Sequence, residues 1–126
     1  MELYRRIIFK KTLINNNYKN LGIVNNLETF KEEILVNEST HRAVVKYNKY
    51  IFRLDIQIQP HSNLSANTKL CDLPLKFRSG RILLYANNEY NTHVRIQVRN
   101  DTIVLLDTPN DLHYDCFVVG FCNDIS

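Results

Sequence analysis

The sequence predicts an all-β protein, an antiparallel jelly-roll-like β-sandwich of about eight short strands. Two segments alternate apolar and polar residues with a period of two, which is typical of half-buried strands. Turn residues recur about every eight to twelve positions between the apolar runs. This spacing favours a sandwich over a helical or mixed fold.

The clearest strand pattern lies at residues 50–58, where the even-numbered positions are apolar and Arg53, Asp55 and Gln57 alternate with them. Residues 92–99 repeat it, with Val94 and Ile96 on the apolar face. Successive side chains point to opposite faces of a strand, so one face of each should be buried. Further strands are predicted at residues 3–14, 34–36, 43–47, 81–86, 103–106 and 117–121.

Asparagine is the predicted turn residue of this chain. The sequence has 16 asparagines but only three glycines and three prolines. Asparagine tolerates positive φ and bonds its own backbone, so it ends strands as glycine would. The Asn100-Asp101 pair suits a tight hairpin. The other clusters between apolar runs are residues 15–17, 25–26, 87–88 and 110.

Residues 26–36 leave two alternatives open. Leu27, Phe30 and Ile34 have helical spacing, but no capping box precedes them, so a strand is an equal alternative. No linker divides the chain, and its length suits one domain. Within that domain, we predict an N-terminal attachment or first-strand segment at residues 1–40 and the sandwich at residues 41–126.

Composition argues against several classes of protein. The net charge of +3 is spread along the chain, so no basic stripe for nucleic acid is present. No apolar run approaches the length of about 20 residues that inserts into a membrane. The three glycines form no phosphate-binding motif. We therefore predict neither nucleic-acid binding nor membrane insertion.

The residues that could carry chemistry are scattered. Cys71, Cys116 and Cys122 have no C-x-x-C spacing, and the four histidines have no metal-ligand spacing. We predict no cofactor, no metal and no catalytic residue, with the thiols free in a reducing cytoplasm. A small glycan-cleaving or cupin-like enzyme is the alternative, because jelly rolls also host chemistry. Its histidines would have to be His93 and His113.

Two motifs after residue 50 resemble those of the trimeric head domains of bacteriophage tail fibres and baseplate receptor-binding proteins. The first is an L-P-x-x-F-R segment, and the second is an alternating hairpin strand. The resemblance covers roughly residues 45–122, although Ser79 replaces the usual proline and Thr102 the usual turn glycine. The matching residues are Leu73, Pro74, Phe77 and Arg78 in the first motif, and residues 95–98, Asn100, Asp101 and Ile103 in the second.

The resemblance implies a homotrimer of β-sandwiches in a virion assembled in the host cytoplasm. Candidates for the subunit interface are Tyr85, Tyr90, Phe117 and Phe121, with burial in the core as the alternative for each. Pro74 would turn the chain at a sheet corner, because proline restricts φ and biases Leu73 towards an extended conformation. Arg78 would bond neighbouring carbonyls or a carboxylate.

The predicted function is that of a non-enzymatic phage virion structural protein of fibre-head or receptor-binding type. The alternative is a capsid or tail decoration or connector protein without a receptor. Contacts with a host glycan or protein, or with other virion proteins, are expected in two polar loops, because asparagine and tyrosine combine hydrogen bonding with flat apolar area. The candidate residues are Asn87, Asn88, Tyr90, Asn91, Asn110 and His113.

Overall fold

The computed structural model describes residues 30–123, which form eight strands and one short 3₁₀ turn, Leu75–Phe77. All neighbouring strands are antiparallel and belong to one sheet, in the order β1-β2-β3-β8-β5-β6-β7-β4. The strands are β1 (Lys31–Asn37), β2 (His41–Tyr47), β3 (Ile51–Ile58), β4 (Thr68–Asp72), β5 (Ile82–Asn87), β6 (His93–Val98), β7 (Thr102–Leu105) and β8 (Tyr114–Phe121).

The sheet curls around one core until it is nearly closed. Its two end strands, β1 and β4, contact each other, so the arrangement lies between a barrel and a sandwich. Each strand from β2 to β8 contributes at least one buried side chain, whereas the side chains of β1 are exposed or half-buried. The prediction of an all-β antiparallel fold is confirmed.

The alternation in the sequence corresponds to burial. On β3 the side chains of Phe52, Leu54, Ile56 and Ile58 are buried, as are those of Val94, Ile96 and Val98 on β6. Tyr50 breaks the predicted pattern, because it lies in the β2–β3 turn and is exposed. The strands predicted at residues 34–36, 43–47, 81–86, 103–106 and 117–121 overlap β1, β2, β5, β7 and β8.

The helical alternative for residues 26–36 is wrong for the described part of that segment. Lys31–Asn37 is strand β1, paired with β2. Phe30 and Ile34, which suggested a helical stripe, are both exposed. The backbone instead bonds to the edge of β2, with a bulge at Leu35. Residues 26–29, like the strand predicted at residues 3–14, lie outside the described residues.

Strand β4 was not predicted from periodicity. It pairs with β7, and the register shifts between Lys69 and Cys71, which marks a β-bulge. Leu70 and Cys71 are consequently both buried, although they are consecutive. A bulge interrupts the period of two, so alternation could not reveal this strand.

The L-P-x-x-F-R segment closes one end of the core. Leu73 and Phe77 are buried, and the Phe77 ring packs edge-on against Tyr47 and Phe52. Pro74 leads into the 3₁₀ turn, and Arg78 Nε donates to the Leu73 carbonyl at 2.8 Å. Arg78 thus makes the carbonyl contact that a structural role requires.

The antiparallel registers divide the connections between two ends of the sheet. We call one end the loop end; there β3 finishes beside the beginning of β8, and β5 finishes beside the beginning of β6. At the opposite, terminal end, β1 begins and β8 finishes. The loop end contains residues 38–40, 59–67, 88–92 and 106–113. The terminal end contains residues 48–50, 73–81 and 99–101.

Candidate functional site

A shallow cleft of about 370 Å³ opens at the loop end, between the β5–β6 turn and the β7–β8 loop. The single register pair between β5 and β8, Asn87 with Asp115, sets the two connections side by side. The lining residues are Asn87, Asn88, Glu89, Leu112, His113 and Asp115. Residues that are distant in sequence thus form one concave surface.

The cleft contains half of the predicted contact residues. Asn87, Asn88 and His113 line it. Tyr90 and Asn91 lie at the tip of the β5–β6 turn, outside the lining, and Tyr90 is largely exposed. Asn110 is also outside the lining, and its backbone N–H donates to the Tyr114 hydroxyl at 3.3 Å.

Sequence reasoning missed Glu89, Leu112 and Asp115. Each lies within two positions of a predicted residue, but loop polarity alone did not distinguish them. The useful signal would have been the pairing of Asn87 with Asp115, which depends on strand order.

Asn88 supports the cleft rather than offering free groups to it. Its Oδ1 accepts the backbone N–H groups of Tyr90 at 2.9 Å and Thr92 at 3.0 Å. Asparagine side chains stabilise turns in this way. Asn91, with a φ of 62°, adopts the left-handed backbone conformation in the same turn.

The cleft carries negative charge and hydrogen-bond acceptors. Glu89 and Asp115 provide carboxylates, and His113 Nε2 lies 3.4 Å from Asp115 Oδ2. Among the described residues, no lysine or arginine lines the cleft. Such a surface can bind hydroxyl or amine groups and disfavours anions.

Two side chains tie the neighbouring loops together. The Asp111 carboxylate accepts the backbone N–H of His61 and lies 2.8 Å from its Nδ1. Thr108 Oγ1 accepts the Ala66 N–H at 3.0 Å. The β3–β4 loop is therefore anchored to the β7–β8 loop, which stabilises the arrangement of the loop end.

The outer sides of β5 and β8 carry a second surface, which we call the apolar face. It comprises Leu83, Tyr85, Phe117, Val119 and Phe121, whose exposed fractions range from 44% to 64%. Tyr85, Phe117 and Phe121, with Tyr90, are the residues predicted as either interface or core. Because all four are exposed, the core alternative is wrong.

The enzyme alternative would use His93 and His113. His93 packs edge-on against Tyr85, with ring centroids 5.0 Å apart, whereas His113 lies in the cleft. Within residues 30–123, no three His, Cys, Asp or Glu side chains are grouped to hold a metal ion. No helix in this range is long and apolar enough to cross a membrane.

The three cysteines are free thiols. Burial raises the pKa of Cys71 to about 11 and that of Cys116 to about 12. Burial also raises the pKa of Cys122, whose Sγ donates to the Asn48 carbonyl. A thiol is nucleophilic only as the thiolate, so these environments oppose cysteine chemistry at neutral pH.

No protein-family model matches the chain, and no curated protein matches it.

Proposed function

We propose that this chain is a non-enzymatic phage virion structural protein of fibre-head or receptor-binding type, which contacts a host surface or another virion protein through its loop end. The supporting observation is that the cleft and the start of β1 lie at opposite ends of the sheet. The cleft lies at the end opposite to the start of β1 and the finish of β8. Attachment through residues before β1 would leave the loop end free for a ligand.

The proposed assembly is a homotrimer of jelly-roll-like sandwiches in the virion. The motifs around Pro74 and Ile96 are its basis, and the nearly closed antiparallel sheet is compatible with it. A trimer would cover apolar surface that one copy leaves in water.

The lining of the cleft favours a neutral, hydroxyl-rich ligand such as an uncharged glycan. Asn87 and Glu89 offer amide and carboxylate groups at the rim, and Leu112 offers apolar area. Sugars combine hydroxyl groups with apolar ring faces, so this mixture suits them. The two carboxylates would repel acidic sugars.

A glycan array probed with the full-length chain tests the proposal. We expect binding to neutral glycans and not to acidic ones. Asn87→Ala and Glu89→Ala should each weaken that binding by about tenfold, because each removes a hydrogen bond to the ligand. Lys49→Ala, in the β2–β3 turn at the terminal end, is the matched control and should bind as the parent chain does.

No binding to any glycan by the folded protein would contradict a glycan as the ligand of the cleft. That outcome would favour the alternative function, a capsid or tail decoration or connector protein without a receptor. Such a protein would share the fold and differ only in its partner. Equal losses of glycan binding in Lys49→Ala and Glu89→Ala would show that the ligand binds outside the cleft.

A further inference from the structure

The apolar face spans two adjacent strands. β5 and β8 are antiparallel and in contact, and Asn87 pairs with Asp115. Leu83 and Tyr85 precede Asn87 at intervals of two, and Phe117 and Val119 follow Asp115 at the same intervals. Residues of one face follow each other at intervals of two, so these side chains project from the same side of the sheet.

The size of this face matches part of a protein interface. An aromatic side chain provides roughly 150–250 Å², so five half-exposed residues leave on the order of 500 Å² of apolar surface in water. A typical interface buries about 800 Å² on each partner, with an apolar centre and a polar rim. The apolar face would therefore provide the centre of such an interface, while its neighbours would provide the rim.

The neighbouring strands carry both signs of charge. On β3, Arg53 Nη2 lies 3.1 Å from Asp55 Oδ1, and the Arg53 guanidinium lies 4.0 Å from the centre of the Phe117 ring. Beside β5, Arg95 Nη2 lies 2.8 Å from Asp107 Oδ1. A rim whose charges are paired within one copy does not repel a second copy of the chain.

We propose that a second copy of this chain covers the apolar face, so that β5 and β8 of neighbouring copies pack together. A surface that lies on a symmetry axis meets its own copies, and a pair or a trimer can be built in this way. This inference rests on the self-association proposed above and names the face through which the copies meet. It needs no host ligand, so the absence of glycan binding would leave it standing.

Light scattering after size-exclusion chromatography of the full-length chain, over a range of concentrations, tests this inference. We expect a mass of two or three times 14.9 kDa. Val119→Glu should raise the apparent dissociation constant of the oligomer at least about tenfold, because a carboxylate would be buried in the interface. In the single copy, Glu at position 119 would face Arg53 on β3, a favourable cross-strand pair that preserves the fold.

The matched control is Leu75→Glu, because Leu75 is as exposed as Phe117 but lies at the terminal end. Its mass should equal that of the parent chain. Leu83→Thr, on β5, is a second variant that keeps a residue suited to strands and should also weaken association. A parent chain that is monomeric at every concentration would overturn the inference, as would equal effects of Val119→Glu and Leu75→Glu.

Discussion

Gly120 on β8 lies opposite Phe52 on β3, and the space left by its missing side chain is occupied by the Phe52 ring. A Cβ atom at position 120 would lie 2.7 Å from Phe52 Cζ and 2.8 Å from Cε2. Phe52 is buried and packs edge-on against Phe77, so its ring has little room to move. This glycine is therefore needed for close packing in the core.

We expect Gly120→Ala to lower the free energy of unfolding by about 1–3 kcal/mol, the usual cost of overpacking a core. Urea denaturation of the two proteins measures the difference. Lys46→Ala, at an exposed position of β2, is the control and should change stability much less. A neutral Gly120→Ala variant would show that the Phe52 ring can move aside.

Asparagine behaves as a turn residue at specific positions only. Asn63, Asn67 and Asn91 have φ values of 56°, 67° and 62°, all at the loop end. The Asn100-Asp101 hairpin has no positive φ among its residues, although its composition suggested one. Composition thus predicted that asparagine occupies turns, but not which asparagines adopt the left-handed conformation.

Among the elements, β6 and the β7–β8 loop are joined by Arg95 and Asp107. The Asp107 carboxylate accepts two side-chain hydrogen bonds from Arg95, at 2.9 and 2.8 Å, and one from its backbone N–H. The side-chain hydrogen bonds, followed by the backbone bond, lower the pKa of Asp107 from 3.8 to about 2. The charged form of Asp107 therefore stabilises the folded state.

Because this pKa is lowered on folding, the stabilisation is complete above about pH 4 and is lost as the pH falls towards 2. We expect Asp107→Asn to lower the midpoint of urea unfolding slightly at pH 7, as is usual for exposed ion pairs. The difference from the parent chain should shrink below about pH 4 and be lost as the pH falls through about 2. Denaturation at several pH values measures it.

Asp101→Asn, an exposed position in the β6–β7 turn, is the control for the change from carboxylate to amide. A difference between Asp107→Asn and the parent chain that stays constant from pH 7 to pH 2 would contradict a role for the charge. That result would mean that the stabilisation comes from hydrogen bonds that the Asp107→Asn variant loses at every pH.

At the scale of the whole sheet, His41 links two strands that are not neighbours. Its Nε2 donates to the Leu70 carbonyl at 2.8 Å, which joins β2 to β4 across the nearly closed edge. A carbonyl can only accept, so Nε2 carries hydrogen, and Nδ1 in the neutral ring accepts from the Thr40 hydroxyl at 2.7 Å. His41 is buried, so this bond is shielded from water.

We expect His41→Leu to lower the free energy of unfolding by about 1–3 kcal/mol, because it leaves the buried Leu70 carbonyl without this donor. In hydrogen exchange of the His41→Leu variant, the backbone amides of β4 should be less protected than those of β3, since β4 is an end strand. His113→Leu, in the exposed cleft, is the control and should be nearly neutral. Equal effects at the two histidines would contradict a closing role for His41.

The sequence by itself determined the strands whose two faces differ. In β3 and β6 the apolar residues recur at every second position, and burial follows them. This signal is local, since a half-buried strand must alternate whichever strands lie beside it. The turn function of asparagine and the all-β class follow from the same kind of local information.

Only the tertiary structure decided the rest. β8 has Phe117, Val118 and Val119 in succession, so its composition does not show which side faces the core. Its position between β3 and β5 turns Phe117 and Val119 outward and creates the apolar face. The cleft likewise depends on the pairing of Asn87 with Asp115. These features arise from contacts between distant segments, whose strand order no local pattern encodes.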